Sequence, residues 1–119
     1  MEDPGVVASA FELLPIADVA REPPSTFSEG ELRYARSKSD PQRRLAARLA
    51  AKRALGRLLG PEILPSKLEV VRRAWGPPAM RLSARAQARL AGLGARRVLV
   101  SLTHARHLAA AAVVLLREP

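Results

Sequence analysis

The stretch that decides the fold is DPQRRLAARLAAKRALGRLLGP, residues 40–61. Asp40 is a favoured N-cap residue, and Pro41 suits the first position of a helix. The next proline comes only at Pro61, directly after Gly60, and this pair is typical of a helix end. The stretch therefore predicts one long helix over residues 41–59.

Shorter patterns on both sides of this helix predict the remaining elements. Ser28 and Glu31 have the spacing of a capping box, which indicates a short helix ending near Arg36. Upstream we expect a strand over 6–13 and a loop over 20–26. Downstream we expect strands over 67–73 and 79–82 around a turn at 76–78, a helix from Ser83 to about 93, and strands over 97–102 and 108–116 separated by 103–106. This order predicts an α+β domain with an antiparallel sheet packed on the long helix.

Composition limits the class of protein. The chain has 119 residues, of which 48% are hydrophobic and 26% charged, as expected for one compact domain over 1–119. Cysteine is absent, which excludes disulfides and thiolate metal sites and fits a reducing compartment. The N-terminus shows no secretory signal, and the apolar run 108–116 is about half of the roughly 20 residues that cross a bilayer. We therefore expect a cytoplasmic protein with no membrane segment.

The chain is strongly basic, with 20 Lys and Arg against 11 Asp and Glu and a net charge of +9. Such a charge attracts phosphates, nucleic acids, acidic proteins or anionic lipid, and it does not choose among them. Aromatic residues are only 3% of the chain, and no run of five or six basic residues is present. The hypothesis of a nucleic-acid-binding domain therefore rests on net charge alone, and we disfavour it.

The long helix carries a pattern of basic residues. Arg44, Arg48 and Lys52 follow i, i+4, i+8 spacing on one stripe, and Arg53 with Arg57 forms a second pair. Such stripes suit an anion, although a row of basic residues on a helix is also the ordinary form of a solvated face.

Three segments of the chain, in the right order, resemble a known family. Residues 45–55, LAARLAAKRAL, are similar to the signature helix of the bacterial holo-acyl-carrier-protein synthases, typically Leu-Ala-x-Arg-Phe-Ala-x-Lys-Glu-Ala. Residues 98–104, VLVSLTH, followed by LAAAAVV at 108–114, resemble the family's strand-loop-strand ending. Between them, LEVV at 68–71 and the segment from GPP at 76–78 to LSARA at 82–86 match its hairpin and next helix.

The resemblance implies a 4′-phosphopantetheinyl transferase-like fold and a reaction. The family transfers the phosphopantetheine arm of coenzyme A to a serine of an acyl carrier protein, with magnesium bridging the pyrophosphate. Its small members are homotrimers with active sites between neighbouring subunits. The matches imply that Arg48 and His104 bind coenzyme A and that Lys52 and Arg57 lie beside the pyrophosphate and the proton transfer. The stripe spacing adds Arg44 and Arg53 to the candidate phosphate-binding residues.

The two carboxylates that hold the family's metal are missing from their matched positions. The first-strand aspartate corresponds to Ser9, when Glu12 and Ile16 are matched to the later members of its pattern, and the signature glutamate corresponds to Arg53. Magnesium prefers anionic oxygen ligands in octahedral geometry, which a hydroxyl and a guanidinium do not supply. We therefore expect no family-type magnesium site and no tightly bound cofactor, with Asp3 and Asp18 as the alternatives to Ser9 in a different alignment.

Other positions also depart from the family. The family usually has a basic residue near the position of Pro15, and that residue meets the carrier protein. Gly60-Pro61-Glu62 replaces the family's glycine-rich turn. Outside the family pattern, Ser9 is interpreted as an ordinary strand residue, His107 as a surface residue, and Trp75 as a packing residue beside its Gly-Pro-Pro turn.

Two functional hypotheses follow, and both keep the family assignment. In the first, the chain has lost or altered its catalysis and is retained as a binding or scaffolding module for coenzyme A, a carrier protein or a biosynthetic multienzyme. In the second, it is an active transferase in which Arg53 replaces the metal, because a guanidinium grips phosphate oxygens in bidentate fashion. The first is favoured, because one positive charge replaces two and does not organise oxygens octahedrally.

Overall fold

The structure is a computed structural model that describes residues 5–119, and it contains the expected helices and strands in the expected order. Three short 3-10 helices, Ile16–Arg21, Pro24–Thr26 and Pro65–Lys67, lie between them. The strands and α-helices of the described part are β1 (Val6–Pro15), α1 (Glu29–Arg36), α2 (Pro41–Leu59), β2 (Leu68–Val71), β3 (Ala79–Leu82), α3 (Ala84–Gly92), β4 (Arg97–His104) and β5 (Leu108–Leu116).

Several boundaries differ from the sequence-based expectation. The segment 20–26, expected to be a loop, contains parts of two 3-10 helices. Strand β1 extends to Pro15, which pairs with Leu108, and β4 extends to His104, which pairs with Ala109. Thr103 and His104 are therefore strand residues and not part of the connection, because the ladder with β5 continues to the pair of His104 and Ala109.

The strands form two antiparallel sheets in place of the single sheet expected. The larger has the order β1-β5-β4, and the smaller is the β2-β3 hairpin. Strand β5, which is rich in alanine, lies in the centre of the larger sheet. A strand-by-strand sequence pattern does not specify which strands pair across the chain, and the division into two sheets was therefore not predicted.

The helix ends explain why the helices lie where they do. The expected capping box of α1 is confirmed: the Glu31 amide donates to Ser28 Oγ at 3.0 Å, and the Ser28 amide donates to Glu31 Oε1 at 2.8 Å. Helix α2 begins at Pro41 and ends before Gly60, whose φ of +116° suits glycine. The Asp40 side chain does not cap α2, because its carboxylate accepts a hydrogen bond from Arg44 Nε at 3.0 Å.

Helix α2 packs on one face of the larger sheet and forms the core with it. Side chains alternate along each strand, so the inner face presents small and branched residues to the helix. The buried residues of this face are Leu14, Val100, Ala109, Ala111, Val113 and Leu115.

The outer face of the same sheet is apolar and open. Phe11 is 62% exposed, Leu13 is 55% exposed and Leu99 is 38% exposed. The register places Phe11 beside Ala112 and Ser9 beside Val114 on this face. We call it the outer sheet face.

Candidate anion-binding site

Helix α2 sends its basic residues in three directions. Arg44 and Arg48 line a cavity of about 440 Å³, which we call the cationic cavity. Lys52 points into the core, and Arg53 and Arg57 line a separate cavity of about 510 Å³. The basic residues that the sequence pattern grouped together therefore lie in three different environments. Arg44 and Arg48 share the cationic cavity with His104.

Four elements build the cationic cavity. Helix α2 forms one wall, and residues of the turn between β2 and β3 form another. Helix α1 contributes Tyr34, and β4 contributes the wall that ends at His104. The lining residues are Tyr34, Arg44, Ala47, Arg48, Arg72, Pro77, Pro78, Val100, Ser101, Leu102, Thr103 and His104.

Arg48 is the buried cation of this cavity, with a relative exposure of 4%. Its Nη1 donates to the Arg44 carbonyl at 3.2 Å, and its guanidinium lies 4.2 Å from the Tyr34 ring centroid. Its Nε is buried and has no hydrogen-bond partner among the described residues. Burial lowers the pKa of this guanidinium, which nevertheless stays charged at neutral pH. A buried charge with an unpaired donor is costly, and an anion in the cavity would reduce that cost.

Tyr34 lies among the cations of the cavity, and no sequence pattern pointed to it. Its ring lies 5.2 Å from Lys38 Nζ and 5.8 Å from the Arg72 guanidinium, and its hydroxyl is 3.5 Å from Arg72 Nη1. Cations lying over an aromatic face are attracted by its quadrupole. No local pattern marked Tyr34, because its partner Arg72 comes from a hairpin 38 residues away.

The charge balance around the cavity is positive. Lys38, Arg44, Arg48 and Arg72 lie around the cavity and the Tyr34 ring, and within residues 5–119 the one carboxylate that pairs with any of them is Asp40, which binds Arg44. The hydrogen bond from Arg44 holds the pKa of the Asp40 carboxyl below its ordinary value, and the same bond raises the pKa of Arg44. The surplus of positive charge favours an anionic ligand.

Lys52 has a structural role that its sequence pattern did not predict. Its side chain is fully buried, and its ammonium contacts Glu31 Oε1 at 2.5 Å and the Thr26 carbonyl at 2.7 Å. Burial lowers the pKa of Lys52, and Glu31 opposes the shift. The expected position beside a pyrophosphate stays a prediction, and it requires that a ligand displace Glu31 or Thr26 from the ammonium.

Arg53 and Arg57 are each paired with a carboxylate. Arg53 Nη2 donates to Glu22 Oε1 at 2.6 Å, and Arg57 donates to Glu12 and to the Phe11 carbonyl. Both arginines line the second cavity, together with Gly60 and Pro61 of the turn after α2.

The two positions expected to hold the family's metal do not meet within one chain. Ser9 is exposed on the outer sheet face, whereas Glu12 of the same strand lies on the inner face and pairs with Arg57. Arg53, on α2, lies on the inner side as well. Among residues 5–119, no three Asp, Glu, His or Cys side chains are grouped to hold a metal ion. The matched residues do not fit magnesium, because the position of the signature glutamate holds a guanidinium that is itself bound to a carboxylate.

Two further expectations can be compared with the structure. Trp75, interpreted as a packing residue, is 86% exposed, and that interpretation is wrong. It failed because the hairpin turn projects away from the core.

No helix of the described chain has both the length and the apolar composition that a membrane crossing needs.

Relatives with known names support the same family. The chain is 40% identical over 91 residues to a holo-acyl-carrier-protein synthase of Chlamydia trachomatis, with 74% of each chain covered. It is 41% identical over 78 residues to the synthase of Treponema pallidum, covering 63% of this chain and 62% of that protein. No family model matches the chain.

Solved structures agree with these relatives. The acyl carrier protein synthase of Mycobacterium tuberculosis has a TM-score of 0.73 and 36% identity, covering 93% of this chain and 97% of the other. The Neisseria meningitidis synthase has a TM-score of 0.79 at 19% identity over 92% of this chain and 98% of that one, a likeness of fold. The fold, the matched signature segments and these relatives together show that the chain belongs to the holo-acyl-carrier-protein synthase family.

Proposed function

We propose that this chain binds coenzyme A in the cationic cavity and acts without magnesium, as a family member whose catalysis is lost or altered. In this role it is a binding or scaffolding module for coenzyme A and an acyl carrier protein, or for a biosynthetic multienzyme. The observation that carries the proposal is Arg48, a buried guanidinium whose Nε lacks a partner among the described residues and which lines a cavity rich in cations.

Coenzyme A suits the cavity because its phosphate groups can satisfy these donors. Arg44 and Arg48 provide guanidinium groups that bind phosphate oxygens in bidentate fashion, and His104 adds an imidazole from β4. A solved synthase of Helicobacter pylori with the same fold is a complex with coenzyme A. The likeness of that fold, with a TM-score of 0.74 at 18% identity over 91% of this chain and 99% of that one, supports the choice of ligand.

Arg53 supports the proposal that the chain acts without magnesium. Its guanidinium, which is bound to Glu22, stands at the position where the resemblance places a metal-binding carboxylate. A divalent ion would be repelled by the guanidinium and would lack the anionic oxygen that it prefers. Coenzyme A binding is therefore expected to depend little on magnesium.

Assembly into a homotrimer is part of the proposal. Phe11, Leu13 and Leu99 leave a contiguous apolar area in water on the outer sheet face, as expected for a surface that another subunit covers. Ser9 lies on this same face. A site that used both Ser9 and the α2 residues would therefore have to form between two subunits.

An active transferase with Arg53 in place of the metal is the second candidate. It is favoured by one observation: Arg53 and Arg57 line a common cavity, so that two guanidinium groups face the same space. Each of them is paired with a glutamate, which reduces the charge available for a transition state.

Calorimetry with coenzyme A tests the proposed binding. We expect weak binding that changes little on adding magnesium, and replacement of Arg44 or His104 by alanine should reduce affinity about tenfold, the ordinary size of one lost charged hydrogen bond. Arg85→Ala, an exposed change on α3, is the matched control and should bind as the unaltered protein does. Tight binding that strictly requires magnesium would contradict the proposal.

A transfer assay separates the two candidates. The protein is incubated with apo carrier protein, coenzyme A and magnesium, and mass spectrometry follows addition of the phosphopantetheine mass. No transfer together with measurable coenzyme A binding supports the binding module. Transfer that is lost in Arg53→Ala, and that continues when divalent ions are chelated, supports the second candidate.

A further inference from the structure

Two side chains at the start of helix α1 join this helix to strand β2. Glu31 Oε2 accepts a hydrogen bond from the Val70 amide at 2.7 Å. Ser28 Oγ donates to Glu69 Oε2 at 2.6 Å. The two bonds end on consecutive residues of β2, and we call these four residues the α1-β2 junction.

From the junction, the helix and the strand both lead to the cationic cavity. Tyr34 comes three residues after Glu31, which places the two on one side of α1. Arg72 comes two residues after Val70, directly beyond the end of β2. Both Tyr34 and Arg72 line the cavity, and the Tyr34 hydroxyl is 3.5 Å from Arg72 Nη1. The junction and the contact of Tyr34 with Arg72 therefore follow each other along one interface.

The junction is the stronger of these two contacts. Glu31 is 1% exposed, and its carboxylate accepts charge-assisted hydrogen bonds, which are stronger than neutral ones. The hydrogen bond between Tyr34 and Arg72 is exposed, and at 3.5 Å it is longer than an ordinary one. It is too weak to fix the tyrosine ring by itself. The position of this ring, with the Arg48 guanidinium 4.2 Å from its centroid, therefore depends on the junction.

Gly30 shows how closely α1 approaches β2 at the junction. A Cβ built on this glycine would lie 2.9 Å from Glu69 Oε2, closer than such contacts are found in proteins. The carboxylate is not free to move away, because it is held by Ser28 and by Arg81. Alanine is a better helix former than glycine, so the close approach of the strand explains why a glycine stands here.

We infer that Glu31 is a positioning residue for the cationic cavity, and that it holds Tyr34 and Arg72 in place through the α1-β2 junction. Glu31 itself is buried and lies outside the cavity lining. This inference rests on the proposed binding of coenzyme A, and it adds a residue on which the shape of the binding site depends. The competing role is stability alone, in which loss of Glu31 lowers the fraction of folded protein and leaves the affinity of the folded protein unchanged.

Calorimetry with coenzyme A tests the inference, at a temperature where circular dichroism shows that the variants are folded. Glu31→Ala is expected to weaken binding about tenfold, the size of one lost charged contact in the cavity. Glu31→Gln keeps an oxygen for the Val70 amide and should recover part of that loss. Gly30→Ala pushes Glu69 away from α1 and should weaken binding about threefold, although alanine favours the helix.

Two matched controls separate positioning from stability. Gly92→Ala makes the same exchange at a glycine of α3, where a Cβ would meet nothing within 4 Å, and it should leave binding unchanged. Leu90→Ala removes a buried side chain of the same helix. It should destabilise the protein through the cavity that it leaves, while the folded protein binds coenzyme A as before.

Tyr34 provides a readout that a purely structural role would not move. If Glu31 acts through the ring, Glu31→Ala should reduce affinity less in a Tyr34→Ala protein than in the unaltered one. Fully additive losses would overturn the inference.

Unchanged affinity in a folded Glu31→Ala or Gly30→Ala protein would also overturn the role of Glu31, and it would leave the proposed binding intact. Should Glu31→Ala fail to fold, Gly30→Ala decides between these outcomes. Failure of the unaltered protein to bind coenzyme A would overturn the proposed function, and with it the site that Glu31 is inferred to position.

Discussion

Lys52 and Glu31 form an ion pair in which both side chains are fully buried. Glu31 also accepts hydrogen bonds from the amides of Ser28 and Val70, at 2.8 Å and 2.7 Å. One carboxylate therefore joins α2, the start of α1 and strand β2. Lys52, which the family resemblance placed beside the pyrophosphate, binds this carboxylate and the Thr26 carbonyl.

Replacing Lys52 by methionine is expected to destabilise the protein by about 3 kcal/mol or more. The change leaves the Glu31 charge buried with only its amide donors, and the Thr26 carbonyl loses its donor. Urea unfolding measures the effect. Lys67→Met, at an exposed lysine, is the control and should change stability by no more than about 0.5 kcal/mol.

A double variant shows whether the two charges act as a pair. Lys52→Met combined with Glu31→Gln should cost less than the sum of the two single changes, because neither charge is left alone. Additive effects, or a Lys52→Met protein as stable as the unaltered one, would contradict the structural role of the pair.

Changes on the outer sheet face should alter assembly and leave the cationic cavity intact. Phe11→Glu places a charge in the apolar area that the trimer is expected to cover, and charges there are unfavourable once desolvated. Light scattering should give a trimer for the unaltered protein and a smaller species for the variant. A mass of about 13 kDa for the unaltered protein at micromolar concentration would rule out the trimer.

The ion pair of Asp40 and Arg44 predicts a dependence of stability on pH. The pKa of Asp40 is lowered in the folded protein, so the unfolded chain binds the proton more readily. The pair therefore stabilises the fold above about pH 4, the ordinary range of aspartate, and its contribution is lost as the pH falls through the lowered pKa. Asp40→Asn should be less stable than the unaltered protein at pH 7.

The stability difference between these two proteins should decrease on acidification. Urea midpoints measured from pH 7 down to pH 3 provide the comparison. A difference that stays constant, or grows, as the pH falls would show that the Asp40 carboxylate does not provide the stabilisation.

Restoring the two carboxylates tests the alignment of Ser9 and Arg53. Ser9→Asp with Arg53→Glu should give coenzyme A binding that strengthens on adding magnesium, as measured by calorimetry. Because Ser9 lies on the outer sheet face, we expect this response only in the assembled protein. Full transfer activity is not expected, since Pro15 and the Gly60-Pro61 turn also depart from the family.

The single changes and one added change control this experiment. Neither Ser9→Asp nor Arg53→Glu alone should create the response. Since Arg53→Glu faces Glu22, adding Glu22→Gln should restore stability to the double variant without removing its response to magnesium. An assembled, folded double variant that shows no response to magnesium would show that the two positions are misaligned.

Local signals in the sequence predicted most of the elements. Pro41 and Gly60 set the ends of α2, and Ser28 with Glu31 set the start of α1. Pairings between distant segments, such as Tyr34 with Arg72, could not be predicted, because they depend on how the hairpin docks. The division of the strands into two sheets could not be predicted for the same reason, because it also depends on pairings between distant segments.

The cationic stripe shows where helical spacing misleads. A step of four residues along an α-helix rotates the side-chain direction by one full turn and about 40° more. Two such steps take the side-chain direction from Arg44 to Lys52 through about 80°, which is enough to pass from the cavity into the core. Positions i, i+4 and i+8 are therefore neighbours without sharing one environment. Sequence spacing predicted one phosphate site, and the structure places the residues of that prediction in different environments.

The pairing of Arg53 with Glu22 bears on how this chain can evolve. A single substitution that placed a glutamate at residue 53 would bring two carboxylates side by side, and selection for stability would act against that intermediate. A glutamate at residue 53 therefore needs a change at residue 22 before it, or together with it. The pairing of Arg53 with Glu22 thus makes the carboxylate of the family's signature hard to introduce by one change.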